Sequence, residues 1–174
     1  CVVPYTRGPE ISRPAEDILD EVKSLVKREY KEIWLLGENV NSYKSQIQII
    51  PNYSKSNPKS KIQKFKLVNF STLLKMVNNI PGNFWLRFTS SHPKDFSDEL
   101  IKTIAECEKI TKYISLPIQS GDDKILKKMN RPYTVAQYKN LVKKIRRKIP
   151  NVTLSTDVIV GFPRETKKQF ENTV

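Results

Sequence analysis

Three consecutive stretches decide the fold: "KYISLPIQS" (residues 112–120), "TVAQYKNLVKKIRRKI" (134–149) and "VTLSTDVIVGF" (152–162). The first and third are short apolar runs that end in polar residues, as buried strands do. The second has helical spacing, and Thr134 is its predicted N-cap. A shorter helix, capped by Asp122, precedes it. A strand, a helix and a second strand in this order predict parallel strands joined by a crossover helix.

The same alternation continues toward the start of the chain. Helices are predicted over residues 12–30, 69–80 and 95–110, strands over 31–37 and 84–90, and a last helix begins within 163–174. The strand "KEIWLLG" (31–37) is almost continuously apolar, which predicts burial on both faces. About four parallel strands with outer helices indicate an α/β fold, either a doubly wound sheet or a (β/α) barrel. We expect residues 1–174 to be the interior of a larger domain.

Residues 44–66 interrupt this rhythm. They hold six lysines and no acidic residue, with Pro51 and Pro58 among them. This composition predicts an extended, mobile, basic insertion, or a hairpin arm because "IQII" has strand character. Tyr53 and Phe65 lie among the lysines, so the insertion is a better nucleic-acid candidate than "KKIRRK" (143–148). That second run is by default a solvated helix face.

Composition limits the classes of function. The chain of 174 residues carries a net charge of +13, which suggests a polyanionic partner or, equally, a lysine-rich surface. No apolar run approaches the roughly 18 residues that span a bilayer, and we expect a cytoplasmic protein. Of the two cysteines, Cys107 lies in a helical pattern and is predicted to be a free, partly buried thiol. Cys1 lies in a loop-like opening.

Polar residues follow each predicted strand, in "LLGENVNS", "RFTSSHP", "LPIQSGDD" and "VGFPRET". Turn chemistry alone explains any one of them. Four in succession favour a shared site, because the carboxyl ends of parallel strands meet at one rim. His92 is the only histidine, and a turn role is at least as probable as a general base. No nucleophile triad, phosphate loop or zinc spacing can be assembled.

Taken together, these strand ends and the opening "CVVPYTRG" resemble the central domain of the radical-SAM methylthiotransferases, and within them the branch that modifies isopentenyladenosine beside the tRNA anticodon. The resemblance covers essentially all 174 residues in order and is weakest over 44–66. It implies an incomplete (β/α) barrel of the radical-SAM type. It also implies an N-terminal methylthiotransferase domain with a second 4Fe–4S cluster and a C-terminal RNA-binding domain, neither visible in this sequence.

The resemblance also implies the cofactors. The family holds a 4Fe–4S cluster by three cysteines in a CxxxCxxC signature, and Cys1 falls on the third. The other two would lie upstream. The open iron chelates S-adenosylmethionine, and reductive cleavage gives a 5′-deoxyadenosyl radical that leads to methylthiolation at C2 of the adenine. The implied partners are tRNA, an electron donor and a sulfur source, with no membrane. Such a fragment alone would be inactive.

Site residues carry over by position. Those that face S-adenosylmethionine or the cluster would be Arg13, Gly37, Glu38, Asn39, Gln119, Ser120, Gly121, Gly161, Phe162 and Pro163, with Cys1 as metal ligand and no catalytic side chain identified. Two positions depart from the family, which often has His where this chain has Ser115 and Gly where it has Arg164. Both departures fall near the predicted rim.

Other interpretations stay open from the sequence. One is a relative that methylthiolates threonylcarbamoyladenosine in tRNA or a ribosomal protein. Another is a basic α/β RNA-binding module with no chemistry, in which Cys1 has no role. Two further upstream cysteines at CxxxCxxC spacing would favour the enzyme.

Overall fold

The computed structural model describes residues 5, 6, 8, 10–49, 64–89 and 91–174. Its helices are α1 (Ala15–Lys27), α2 (Phe70–Asn78), α3 (Asp98–Glu106), α4 (Asp123–Lys128), α5 (Val135–Lys148) and α6 (Lys167–Glu171). Its strands are β1 (Glu32–Leu35), β2 (Lys44–Ile49), β3 (Lys64–Asn69), β4 (Trp85–Phe88), β5 (Tyr113–Ser115) and β6 (Thr153–Ser155). Short 3-10 turns, Val40–Ser42 and Pro93–Asp95, follow β1 and β4.

Four of the strands run parallel, in the order β1–β4–β5–β6. β1 pairs with β4, with Ile33 opposite Leu86, and β5 pairs with β6. A parallel bridge between Leu86 and Ile110 ties the two pairs together, because Ile110 leads into β5. The predicted α/β architecture with about four parallel strands is confirmed.

The helices cover one face of these strands. Leu86, Ile114 and Leu116 are fully buried on that face, against apolar side chains of α1, α2, α3 and α5. The prediction that residues 31–37 are buried on both faces is wrong for the described part of the chain. Ile33 is 5% exposed, whereas Trp34 on the opposite face is 44% exposed. Only one side of β1 meets a helical layer there.

The opposite face of the strands carries polar groups beside two exposed tryptophans, Trp34 and Trp85. Arg87 Nε lies 2.7 Å from a Glu32 carboxylate oxygen, and its guanidinium stands over the Trp34 ring, 5.4 Å from the centroid. On the second strand pair, the Tyr113 hydroxyl and Ser155 Oγ lie 2.8 Å apart. The charged and hydroxyl groups of this face suit a polar ligand better than close apolar packing.

Side-chain caps set most helix starts as the sequence predicts. Asp122 accepts from the backbone N–H groups of Lys124 and Ile125, and Thr134 forms a reciprocal capping box with Gln137. Helix α1 differs. Pro14, predicted inside the first turn, takes the cap position instead and has no hydrogen-bonding side chain.

Residues 44–66 are predicted as a loop or a hairpin arm. In the structure the strands at the two ends of this segment, β2 and β3, pair with each other in antiparallel fashion. Lys44 pairs with Asn69 and Ile49 with Lys64, while Tyr53 lies outside the described residues. The alternating apolar and polar residues of "KSQIQI" suit a strand with one covered face.

The start of α1 is fastened to the root of this hairpin. The Ala15 N–H donates to Ser45 Oγ at 3.1 Å, and the Lys44 N–H donates to Ser12 Oγ at 3.2 Å. The Tyr43 hydroxyl donates to the Arg13 carbonyl at 2.8 Å. The Ser45 hydroxyl, thirty residues away, therefore replaces the cap that Pro14 cannot supply.

Cys107 is a free, buried thiol at the end of α3, as predicted, and burial raises its pKa. Cys1 lies outside the described residues. None of the helices in the described part of the chain is long and apolar enough to cross a membrane.

Candidate active site at the strand rim

A cavity of about 240 Å³ opens at the carboxyl ends of the parallel strands. Each strand end contributes to its wall, as does the turn after α4; the lining residues are Glu38, Thr89, Ser91, His92, Pro93, Ser115, Pro117, Gln119, Arg131 and Asp157. Three of the four predicted polar stretches, those after β1, β4 and β5, thus meet at one rim, whereas the chain after β6 contributes Asp157 and not "VGFPRET". Two of the predicted site residues, Glu38 and Gln119, line this cavity directly.

The backbone at Gln119 is held in an uncommon conformation. Its φ is 74°, in the left-handed region that few residues other than glycine adopt. The Gln119 N–H donates to the Asp157 carbonyl at 2.9 Å, and the Ile159 N–H donates to the Gln119 carbonyl at 2.8 Å. The chain after β6 therefore holds the Gln119 backbone in place, and the residue lines the cavity.

Two tyrosines hold the segment that leads to Gln119. The Tyr133 hydroxyl donates to the Ile118 carbonyl at 3.0 Å, and the Tyr138 hydroxyl donates to the Leu116 carbonyl at 2.7 Å. Burial raises the pKa of both phenols, so both remain donors at neutral pH. Because strand β5 is short, these two hydrogen bonds hold the segment that follows it.

Ser120 and Gly121 do not line this cavity. Ser120 is fully buried, and the Gly121 N–H donates to Thr173 Oγ1 at 2.9 Å. A Cβ on Gly121 would come within 2.4 Å of the Asn172 carbonyl oxygen. The Gly121 N–H, just before α4, is therefore already paired within the chain. The pair secures the C-terminal turn of α6 against the rim.

Gly37, Asn39 and Arg13 line a second, larger cavity of about 610 Å³ between α1, β1 and the segment before α1. Glu38 lines both cavities and joins them. Asn39 Nδ2 donates to Asp95 Oδ2 at 2.7 Å, which ties the loop after β1 to the turn after β4. Arg13 forms an exposed ion pair with Glu21 at 2.8 Å.

Several polar groups near the rim are buried without a partner in the described part of the chain. They are Asn39 Oδ1, both side-chain polar atoms of Asn41, and Ser91 Oγ. Ser91 is only 4% exposed and lines the rim cavity. Burying an unpaired polar group costs about 1 to 3 kcal/mol, so a bound polar ligand would relieve this cost.

Gly161, Phe162 and Pro163 form the loop after β6 and line neither cavity. The Gly161 and Phe162 N–H groups both donate to Glu165 Oε2, at 2.6 and 3.2 Å. Arg164, where the resembled family often has glycine, has a φ of 62°. The loop keeps the left-handed turn that glycine would favour, although the residue is arginine.

His92 is a turn residue that also faces the rim cavity. Its Nδ1 accepts from the Lys94 N–H at 3.2 Å, and its ring meets Tyr133 edge-on, with centroids 5.7 Å apart. Burial, and then the nearby Arg131 guanidinium, lower the pKa of His92. With Nδ1 accepting, the neutral ring carries its proton on Nε2.

Sequence reasoning missed Arg131, Ser91 and Asp157 as lining residues. Arg131 is half-buried, and its guanidinium makes no hydrogen bond or ion pair within the described residues. Arg131 lies in "MNRPYT", beyond the polar stretch that follows β5, so a search confined to strand ends passes over it. Glu38 and Asp157 give the same cavity two carboxylates. Together with the Arg131 guanidinium, they suit a ligand that bears both positive and negative charge.

Parallel strands with a polar cavity at their carboxyl rim define an α/β protein of the kind that binds a small polar ligand at strand ends. The comparison of sequences identifies the family. The chain belongs to the Radical SAM superfamily, which it matches over residues 1–174. The predicted resemblance is confirmed at this level.

Curated relatives match along the whole chain. The tRNA-2-methylthio-N(6)-dimethylallyladenosine synthase of Clostridium novyi (strain NT) is 51% identical over 174 residues, which are 100% of this chain and 35% of that protein. Proteins of the same name from Clostridium tetani (strain Massachusetts / E88) and Clostridium beijerinckii (strain ATCC 51743 / NCIMB 8052) are 49% and 47% identical, with 35% and 34% of their length covered. The chain spans about a third of these relatives.

Proposed function

We propose that the complete protein containing this chain is a radical S-adenosylmethionine enzyme that adds a methylthio group to C2 of isopentenyladenosine beside the tRNA anticodon. The observation that carries the proposal is 51% identity, over the whole chain, to a synthase named for that product. The rim supports it, since all four parallel strands deliver polar groups to one cavity.

The rim cavity fits a zwitterionic, hydroxyl-rich ligand such as S-adenosylmethionine. Glu38 and Asp157 supply carboxylates. Arg131 supplies a guanidinium and Ser91 a buried hydroxyl, both without a partner among the described residues. When bound, S-adenosylmethionine supplies the radical that activates the substrate carbon. Within this chain, Gln119 is positioned as a polar contact and His92 as an Nε2 donor.

The other predicted site residues have supporting roles in this proposal. Gly37, Asn39 and Arg13 border the larger cavity, which Glu38 links to the rim. Ser120 and Gly121 hold α6 in place, and the loop of Gly161, Phe162 and Pro163 lies beyond β6, held by Glu165. These residues shape the walls from behind more than they touch the ligand.

For the iron–sulfur cluster, the proposal rests on Cys1, which we place as one thiolate ligand of three. The described residues contain no group of three His, Cys, Asp or Glu side chains that could hold a metal ion. We propose that the cluster is held by Cys1 together with two cysteines from outside this chain. We propose that the four strands belong to a (β/α) barrel whose remaining strands lie outside this chain.

The chain matches about a third of the length of these relatives, and the rest of their length can hold the other expected domains. We propose an N-terminal methylthiotransferase domain with a second 4Fe–4S cluster and a C-terminal RNA-binding domain. The protein would work in the cytoplasm, where tRNA, an electron donor and a sulfur source meet.

Anaerobic reconstitution tests the proposal. The complete protein is loaded with iron and sulfide, reduced, and given S-adenosylmethionine with tRNA that carries isopentenyladenosine. We expect 5′-deoxyadenosine and a nucleoside heavier by one methylthio group in place of hydrogen, both measured by mass spectrometry. Parallel reactions use threonylcarbamoyladenosine tRNA and a ribosomal protein. Methylthiolation of either in place of the first substrate would reassign the enzyme, and no 5′-deoxyadenosine in any reaction would refute radical chemistry.

A further inference from the structure

Helix α5 differs in charge from the other long helices. Its sequence VAQYKNLVKKIRRK holds six basic residues and no acid. By contrast, α1 (AEDILDEVKSLVK) and α3 (DELIKTIAE) carry more acids than bases. The positive charge of the protein is therefore concentrated on particular surfaces, and α5 is one of them.

Three of these basic residues form one exposed stripe. Lys139, Lys143 and Arg146 follow each other at intervals of four and three residues, which places them on one side of the helix. A different face of the helix carries Ile145, which is fully buried. We call Lys139, Lys143 and Arg146 the α5 stripe. Its ends lie about 10 Å apart along the helix axis at 1.5 Å per residue.

The α5 stripe is not neutralised by the rest of the described chain. Lys144, on the flank of the helix, is paired with Asp98 of α3. None of the three stripe residues has an ion pair or a side-chain hydrogen bond among the described residues. This contrasts with Lys23 on α1 and Lys102 on α3, which pair with Asp20 and Glu106.

The α5 stripe begins beside the rim. Helix α5 starts at the carboxyl end of β5, directly after Tyr133 and the cap Thr134, and runs back along the outside of the strands. Lys139 is therefore little more than one turn from the rim. Arg131, which is unpaired and lines the rim cavity, extends the positive charge into the site. Asp123, at the rim end, is held by the Val135 N–H at 2.7 Å.

We infer that the α5 stripe is a phosphate-binding track for the RNA whose base is modified at the rim. This inference rests on the proposed function, which supplies RNA as the substrate. Exposed cations at regular spacing contact phosphates without reading sequence, and they orient a nucleic acid on the protein. RNA leaving the rim along α5 would meet Lys139, then Lys143, then Arg146.

The contribution can be bounded by counterion release. Each phosphate contact changes the slope of log affinity against log salt by about 0.7 to 0.9, so three contacts contribute about 2 to 3. Between 50 and 200 mM salt, these three contacts would account for a roughly 20- to 40-fold loss of affinity.

The test uses the complete protein and a fluorescein-labelled RNA hairpin with an anticodon stem and loop. The variant K139Q/K143Q/R146Q removes the stripe and keeps good helix formers. The control K23Q/K27Q/K102Q removes three lysines from α1 and α3, with the same change of net charge. Fluorescence anisotropy across a salt series gives affinity and slope, and circular dichroism checks that both variants fold.

We expect the stripe variant to bind at least about tenfold more weakly at 100 mM salt and its slope to fall by about 2 to 3, with little change in the control. Equal losses in both variants would show that only overall charge matters, and no loss in either would place the RNA elsewhere. Either result overturns the inference. So would binding to anionic vesicles that the stripe variant loses while its RNA affinity stays unchanged.

A second measurement separates this inference from the proposed function. Both variants and the wild type are assayed for 5′-deoxyadenosine formed from S-adenosylmethionine without RNA. We expect equal yields, because the stripe lies outside the rim cavity. If the wild type forms none, either here or in the reactions with tRNA, but the stripe variant still loses RNA affinity, the proposed function fails while the RNA track stands.

Discussion

The helix-covered face of the strands and the rim at their ends are built on opposite principles. On the covered face, Leu86 and Ile114 are fully enclosed by apolar neighbours, and the helices behind them begin with satisfied caps. At the rim, a few residues farther along the same strands, Ser91 Oγ is buried with no partner in the described part of the chain, and Gln119 has a left-handed backbone. Stability is concentrated in the first region, and unsatisfied binding capacity in the second.

Two neighbours on β5 give the strongest contrast. Ile114→Ala should destabilise the protein by about 3 kcal/mol, because it leaves a cavity in the core. Ser115→Ala, on the polar face of the same strand, should change the free energy of unfolding by less than about 0.5 kcal/mol. Urea denaturation measures both values. Equal destabilisation would mean that the two faces of β5 do not differ as described.

Near the rim, the backbone of Gly121 packs closely against the residues that follow α6. Gly121→Ala should cost about 2 kcal/mol, because the new methyl group collides with the backbone of residues 172 and 173. The matched control is Gly161→Ala, where the Cβ meets nothing within 4 Å and only the φ of 71° is strained, at about 1 kcal/mol. Limited proteolysis near residue 170 should increase for Gly121→Ala alone. The reverse order of costs would contradict the docking of α6.

Arg164 tests whether a strained backbone in the loop after β6 affects stability differently from a strained backbone elsewhere. Arg164→Gly should stabilise the protein by about 0.5 to 1 kcal/mol, since glycine adopts a φ of 62° without strain. Glu29, with a φ of 66° just after α1, is a control far from the rim, and Glu29→Gly should give a similar gain. Thermal unfolding measures both. A gain at Glu29 but a loss at Arg164 would show that the arginine side chain stabilises the loop.

The smallest expected effect concerns His92, the only histidine of the chain. Its pKa is lowered in the folded protein, so the unfolded chain binds more protons as pH falls below about 6.5. The stability that neutral His92 provides is thus present above that pH and is lost as pH falls through the lower folded pKa.

An NMR titration of the His92 ring gives this pKa directly. Arg131→Gln should raise the pKa toward its ordinary value, by more than Lys94→Gln does, because Arg131 is the larger of the two charge effects. No change on removing Arg131 would mean that its charge does not reach the imidazole.

Much of this organisation could be predicted from the sequence. Helical spacing and cap residues such as Asp122 and Thr134 are local signals, and parallel alternation follows from them. The hairpin was only an alternative, because its pairing joins Lys44 to Asn69 across a long, weakly patterned insertion. The exposure of Trp34 depends on which elements cover a strand, and no local pattern encodes that.

The sequence allowed us to predict only those site residues that directly follow a strand. Glu38 and Gln119 directly follow strands and line the cavity. Arg131 reaches it from the turn after α4, and Ser120 turns inward to Thr173, a partner more than fifty residues away. Such contacts arise from the packing of α4 and α6 on the rim, which spacing along the chain does not reveal.

The bonds between the hairpin root and the start of α1 make the insertion at 44–66 inseparable from the scaffold. Removing it would delete Ser45, whose hydroxyl meets the first N–H of α1. It would also remove the Lys44 N–H that holds Ser12, a residue in the wall of the larger cavity. A shorter protein could not be obtained by simple excision here: α1 would first need a cap of its own in place of Pro14.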